Sequence, residues 1–93
     1  MKLAEKLEIV NKLGLHLRAA AELVKTANKF KCSITIHHAA GGARNVNAKS
    51  LMGLMTLAAA KGTELEFEAD GEDAKDAMAA LRQLLANKFG EKE

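Results

Sequence analysis

The sequence predicts a two-layer α+β sandwich, in which helices cover one face of a single β-sheet and the other face stays open. Four segments alternate in polarity like strands, and three segments repeat with helical period. Each strand shows one apolar face, so helices are needed on one side of the sheet only. With 93 residues and 48% apolar composition, residues 1–93 are expected to form a single domain.

The strand segments are short and are separated by turn-forming residues. The first covers residues 5–10, with Leu7 and Ile9 on one face. Residues 32–38 and 43–48 are predicted to form a hairpin whose turn lies at Gly41 and Gly42. Residues 63–69, "TELEFEA", alternate almost without exception and form the fourth predicted strand.

The helical segments are marked by apolar residues three and four positions apart. The first helix is predicted to begin at Leu17. The second is predicted to run from Ser50 to a C-terminal stop at Gly62, with Leu51, Leu54, Met55 and Ala58 on its core face. The third is predicted to present an apolar side from Ala74 through Met78, Leu81 and Leu85 to Phe89.

Composition and charge restrict the classes of function. The net charge of +2 and the presence of three aromatic residues, all Phe, disfavour a nucleic-acid partner. No apolar run is long enough to cross a membrane, and the start resembles no secretion signal, so we expect a cytoplasmic protein with no membrane insertion. Cys32 is the single cysteine, which fits a reducing compartment. Most positive charge lies in residues 1–49, which favours an anionic group or an acidic partner there, although chance dispersal over the surface is an alternative.

The stretch "GLHLRAA", residues 14–20, places a histidine before a helix that has no Ser, Thr, Asp or Asn as N-cap. Free N–H groups and the helix dipole make such a start an anion site, and Arg18 would add a cationic donor. The positive helix end also favours a neutral imidazole, which a nucleophilic nitrogen requires. His16 is therefore a candidate phosphoryl acceptor or anion ligand, and an ordinary loop histidine is the alternative.

The other two histidines do not suggest a metal or cofactor site. His37 and His38 are adjacent on a predicted strand, so they point to opposite faces. Cys32 shares a face with His38 but lies roughly 20 Å away along the strand. We therefore expect neither a metal nor a cofactor.

A second candidate site surrounds Ser50, the predicted N-cap of the second helix. Met52, Gly53 and Thr56 lie opposite the predicted core face of that helix. Met52 is thus a candidate exposed docking residue, although a methionine that closes the core edge is an alternative.

Two stretches of this chain resemble the HPr family, the histidine-containing phosphocarrier proteins of the bacterial phosphoenolpyruvate-dependent phosphotransferase system. They are "GLHLRAA" (14–20) and "VNAKSLMGLMTLAAAKG" (46–62), followed by the alternating strand and the final helix in the expected order. The resemblance implies an open-faced sandwich of four antiparallel strands and three helices. It also implies that His16 is phosphorylated on Nδ1, that Arg18 is the active-site arginine and that Ser50 is a regulatory phosphorylation site.

The resemblance further implies the partners of the chain. Enzyme I would supply the phosphoryl group, and enzyme II A components would receive it. An HPr kinase/phosphorylase would modify Ser50, and transcription regulators would be further partners. We expect a stoichiometric carrier rather than an enzyme, and a monomer.

The chain departs from the family pattern at three places. Ala19 replaces the usual proline after the arginine, Leu17 replaces a small residue, and the loop "HHAAGGAR" looks longer than usual. Ala is an excellent helix former, so we expect the site to survive the loss of proline. We hypothesise that Leu17 and Met52 enlarge an apolar docking patch around His16.

Two other functions remain open at this point. In the first, a regulatory HPr-like protein acts through phosphorylation-dependent partner binding in nitrogen-type or carbon-catabolite signalling. In the second, the chain is a pure binding module in which His16 is structural.

Overall fold

The computed structural model describes residues 1–41 and 45–93. Its elements are β1 (Lys2–Glu8), α1 (Leu17–Ala27), β2 (Ser33–His38), β3 (Val46–Asn47), α2 (Leu51–Met55), β4 (Glu64–Asp70) and α3 (Ala74–Ala86). A short 3-10 turn, Lys88–Gly90, follows α3. The predicted order of elements is confirmed.

The strands form one antiparallel sheet in the order β1-β4-β2-β3. Leu65, Phe67 and Ala69 of β4 are fully buried, whereas the residues between them face away from the core. The three helices lie on the buried face, and the predicted open-faced α+β sandwich is confirmed. The predicted turn residue Gly42 and the start of the predicted strand 43–48 lie outside the described residues.

The first strand is longer at its beginning than the sequence predicted. It starts at Lys2 because all seven of its residues pair with β4, from Lys2 opposite Asp70 to Glu8 opposite Glu64. Ile9 lies just beyond the strand and is fully buried. Pairing with a partner strand, rather than local polarity, sets where β1 begins and ends.

The prediction that the second helix reaches Gly62 is wrong. The helix ends at Met55, and the chain then turns at Ala58, whose φ of 48° is left-handed. Met55 is 38% exposed and Ala58 is exposed, so neither belongs to the core face that the sequence predicted. The segment after the helix packs against the loop before α1 instead. Ala59 is buried, and its carbonyl accepts a hydrogen bond from the N–H of Leu15.

The third helix is also shorter than predicted. It ends at Ala86, and Phe89 is buried although it lies outside the helix. Lys88 and Phe89 have φ values of 58° and 56°, and Gly90 has a φ of 85°. Non-glycine residues rarely adopt this left-handed conformation. It reverses the chain direction and brings the last residues back toward the start of α1.

Candidate functional site

The start of α1 has the open geometry that the sequence predicted. His16 occupies the N-cap position with extended backbone (φ −79°, ψ 177°), and its side chain makes no capping hydrogen bond to the helix. The first helical hydrogen bond runs from the N–H of Ala20 to the carbonyl of His16. The N–H groups of residues 17–19 therefore have no acceptor within the helix and are available to an anion.

The helix begins here without the family proline. Ala19 is fully buried in the first turn of α1, and Leu17 and Arg18 next to it are exposed. The small methyl group of Ala19 packs against the core, and this contact together with the helix propensity of alanine holds the first turn. Arg18 thus projects from the same turn that carries the free N–H groups.

The imidazole of His16 is oriented by the end of the chain. Its Nε2 lies 2.5 Å from Oε2 of Glu91, and both side chains are partly buried. A carboxylate only accepts hydrogen bonds, so Nε2 carries a proton, and in the neutral ring Nδ1 is then left with a lone pair. The chain reversal at residues 88–90 produces this contact between residues 75 positions apart.

The carboxylate of Glu91 has a second donor. Nδ2 of Asn11, a fully buried residue, donates to Oε1 of Glu91 at 2.9 Å and to the carbonyl of Gly14 at 2.8 Å. Burial alone would raise the pKa of Glu91. The hydrogen bonds from Asn11 and His16, together with the nearby positive charge of Arg18, outweigh that effect and lower the pKa, so Glu91 is ionised at neutral pH.

Sequence reasoning missed both Asn11 and Glu91. Local pattern placed Glu91 in a short polar tail, and its partner is far away in the sequence. A polar residue at position 11, between the first strand and the histidine loop, looks like an ordinary turn residue. The complete burial of Asn11 in the structure is the signal that distinguishes it.

Ser50 caps α2, as predicted. Its Oγ accepts a hydrogen bond from the N–H of Gly53 at 3.0 Å. At the C-terminal end of the helix, the hydroxyl of Thr56 donates to the carbonyl of Gly53 at 2.6 Å. The cap satisfies a first-turn donor that would otherwise lack an acceptor within the helix. The side chain of Ser50 is partly accessible.

Each of the helices α1 and α2 carries exposed apolar side chains. Leu17 is 59% exposed and Met52 is 78% exposed, and α1 and α2 pack against each other. Met52 therefore does not close the core. Leu13, in the loop before His16, and Met55, at the end of α2, are exposed as well, although the sequence analysis did not single them out as docking residues.

His37 and His38 lie apart from this site and face opposite sides of the sheet. His37 approaches Glu66 at 4.0 Å, and Nε2 of His38 lies 2.7 Å from the carbonyl oxygen of Leu57. Within residues 1–41 and 45–93, no three His, Cys, Asp or Glu side chains are grouped as metal ligands. No helix in these two ranges is both long and apolar enough to span a bilayer.

The comparison with protein families decides between the functions left open above. The family model described as "PTS HPr component phosphorylation site" matches residues 3–87, nearly the whole chain. The chain belongs to the HPr family. It is a phosphoryl carrier of the phosphotransferase system, and the regulatory alternative is not favoured.

Individual relatives in this family match the chain from end to end. Phosphocarrier protein HPr of Neisseria meningitidis serogroup A is 48% identical over 91 residues, which cover 98% of this chain and 99% of that protein. The HPr of Xylella fastidiosa strain Temecula1 is 48% identical over 89 residues, covering 96% and 97%. The crystal structure of HPr-C-His from Thermoanaerobacter tengcongensis superposes with a TM-score of 0.89 at 41% identity, covering 98% and 99%.

Proposed function

We propose that His16 is the residue on which this carrier accepts its phosphoryl group, from enzyme I, before passing it to enzyme II A components. The observation that carries the proposal is the uncapped start of α1 directly after His16. This arrangement places an acceptor nitrogen beside free backbone donors in a chain of the HPr family.

Arg18 and the first-turn N–H groups would hold the transferred group. A phosphoryl group carries oxygens that accept several hydrogen bonds, and a guanidinium supplies paired donors in one plane. The partial positive charge of the helix N-terminus favours the same anion. Arg18 is exposed, so it can turn toward the phosphoryl group without unfolding the helix.

The protein acts stoichiometrically, as a carrier with no turnover of its own. It meets its donor and its acceptors in turn, and one surface with small, transient contacts suits such exchange. Leu17, Met52, Gly53 and Thr56 are the residues proposed for that surface. The carrier is proposed to work in the cytoplasm as a monomer.

Ser50 is proposed as the regulatory site of the same surface, modified by an HPr kinase/phosphorylase. Its side chain is partly accessible while its oxygen caps α2. A phosphate there would add nearly two negative charges beside Met52 and Gly53. It would weaken docking of an acidic partner and would favour a partner that reads the phosphate, such as a transcription regulator.

The test is an intact-mass measurement after incubation with phosphoenolpyruvate, magnesium and a cognate enzyme I. We expect one added phosphate that mild acid removes, and none on His16→Ala. The Ser50→Ala variant is the matched control and should gain the same phosphate. Absence of the phosphate from the unmodified chain, with an enzyme I that phosphorylates itself, would overturn the proposal.

A further inference from the structure

The contact between His16 and Glu91 is one end of a longer chain of hydrogen bonds. Each oxygen of the Glu91 carboxylate accepts from a different donor. Oε2 lies 2.5 Å from Nε2 of His16, and Oε1 lies 2.9 Å from Nδ2 of Asn11. Both of these donors lie in the segment that leads into α1. The carboxylate is therefore held from two sides rather than resting on the surface.

We infer that Asn11 and Glu91 form a positioning clamp, which holds the His16 ring in the tautomer with its proton on Nε2 and keeps the Nδ1 lone pair free for the phosphoryl group. The inference rests on the proposed role of His16. It adds two positioning residues that the histidine motif itself does not contain.

The orientation of Asn11 is set by its surroundings. Its amide nitrogen faces two acceptors, the carbonyl of Gly14 and the carboxylate of Glu91, so the opposite orientation would place its oxygen against both of them. Among the described residues none donates to Oδ1 of Asn11, although that atom is buried. An unpaired buried oxygen is unfavourable, and its presence here is explained if both amide donors are needed to fix Glu91 and the loop.

The backbone that carries Glu91 also adopts an unusual conformation. Phe89 is buried with a left-handed φ of 56°, and it anchors the turn that directs Glu91 to the histidine. The carbonyl of Glu93 accepts a hydrogen bond from the N–H of Lys12, so the chain end runs beside the histidine loop. Local preference alone would not place a phenylalanine in this conformation.

The clamp matters for the charge that develops during transfer. The Nδ1 lone pair forms the new bond to phosphorus, and the bond between phosphorus and the donor breaks, its electron pair leaving with the donor. The proton on Nε2 stays in place throughout, so the imidazole ring becomes positively charged. The Glu91 carboxylate lies against that proton and offsets the new charge, which favours the phosphorylated form.

The substitution Glu91→Gln tests this directly, because an amide has one acceptor where a carboxylate has two. If the Gln oxygen faces His16, its NH2 group meets the NH2 group of Asn11. If the Gln NH2 faces His16, it donates to Nε2 and drives the ring proton to Nδ1. Either arrangement removes one of the two hydrogen bonds, that with Asn11 or that with the Nε2 proton of His16, while the size and shape of the side chain are retained.

The experiment measures ring ¹⁵N chemical shifts of His16 in the unphosphorylated protein at about pH 9, where histidine rings are neutral. We expect Nε2–H alone in the unmodified chain and a clear Nδ1–H fraction in Glu91→Gln. Glu93→Gln, which removes another C-terminal carboxylate, is the matched control and should leave the spectrum unchanged. Backbone amide spectra of each variant establish that the fold is retained.

The transfer rate from phosphorylated enzyme I is measured on the same variants. We expect Glu91→Gln to slow it about tenfold or more, as for other residues that orient a reactive histidine, and Glu93→Gln to leave it unchanged. An unchanged tautomer in both Glu91→Gln and Glu91→Ala, or an altered tautomer with an unaltered rate, would overturn the clamp. A chain that shows the expected tautomer but takes no phosphate on His16 would overturn the proposed function and leave the clamp standing as a structural device.

Discussion

The backbone N–H of Leu15 donates a hydrogen bond to the carbonyl oxygen of Ala59 at 2.8 Å. The preceding residue, Gly14, lies so close to the same segment that an added Cβ would come within 2.7 Å of that oxygen and 2.9 Å of Cα of Ala60. This contact ties the loop before His16 to the segment that follows α2. The position of the histidine therefore depends on the absence of a side chain at residue 14.

Gly14→Ala is expected to destabilise the protein strongly. Gly14 has a left-handed φ of 71°, and the added methyl group would meet backbone atoms, which cannot rotate away. The strain and the overlap together should lower the free energy of unfolding by about 3 kcal/mol. Urea unfolding measures the loss.

Gly62→Ala is the matched control for that substitution. Gly62 also has a left-handed φ, 91°, but in the described part of the chain nothing lies within 4 Å of a Cβ at this position. Gly62→Ala should therefore lower the free energy of unfolding by about 1 kcal/mol, the cost of the left-handed conformation alone. Equal losses for the two variants would show that the close approach to Ala59 contributes nothing.

Ser50→Ala should destabilise the protein by about 1 kcal/mol, because the N–H of Gly53 loses the oxygen that accepts its hydrogen bond. Ser50→Asp should retain nearly full stability, since aspartate caps a helix equally well. The same variant should accept phosphate from enzyme I more slowly, because it adds a negative charge to the proposed docking surface. A Ser50→Asp variant that is stable and transfers at the normal rate would argue against a regulatory role.

Leu17→Ala and Met52→Ala should slow transfer from enzyme I while leaving stability nearly unchanged. Both side chains are mostly exposed, so their removal takes little from the core. Loss of one interface contact worth about 1 kcal/mol corresponds to about a fivefold lower kcat/KM of enzyme I for the carrier. Lys6→Ala, on the open face of the sheet, is the control and should transfer normally. Normal rates for both apolar variants would remove these residues from the docking surface.

Asp73 is expected to make part of the stability depend on pH. Its carboxylate accepts hydrogen bonds from the N–H groups of Lys31 and Cys32 at 2.8 Å and 2.9 Å. The bond from Lys31 is the main cause of its lowered pKa, and it outweighs the opposing effect of burial. The folded state therefore prefers the ionised form, and this contribution is fully present above the ordinary carboxyl pKa and is lost as the pH falls through the lowered value.

The test compares urea unfolding of Asp73→Asn with that of the unmodified chain from pH 7 down to about pH 2, below the ordinary pKa of aspartate. The unmodified chain should be the more stable at pH 7, and the difference should shrink toward the acid end. Glu72→Gln, at an exposed neighbouring position, should behave like the unmodified chain. A stability difference that stays constant across this range would contradict the assignment.

The sequence by itself determined the features that depend on neighbours along the chain. The alternation of residues 63–69 identified β4 and its buried face, and the absence of a capping side chain at residues 14–17 identified the open start of α1. Ser50 and Gly53 are three residues apart, so the cap of α2 was equally visible. These features follow from period and spacing, which local backbone geometry imposes.

Only the tertiary structure decided the features that join distant segments. Strand β1 begins at Lys2 because β4 offers partners for all seven of its residues, and α2 stops early because the segment around Ala59 packs against Gly14. Above all, Glu91 reaches His16 across 75 residues, because Phe89 is buried and turns the chain back. A polar tail carries no periodic signal, so its place beside His16 depends on packing of the whole core and cannot be seen from local pattern.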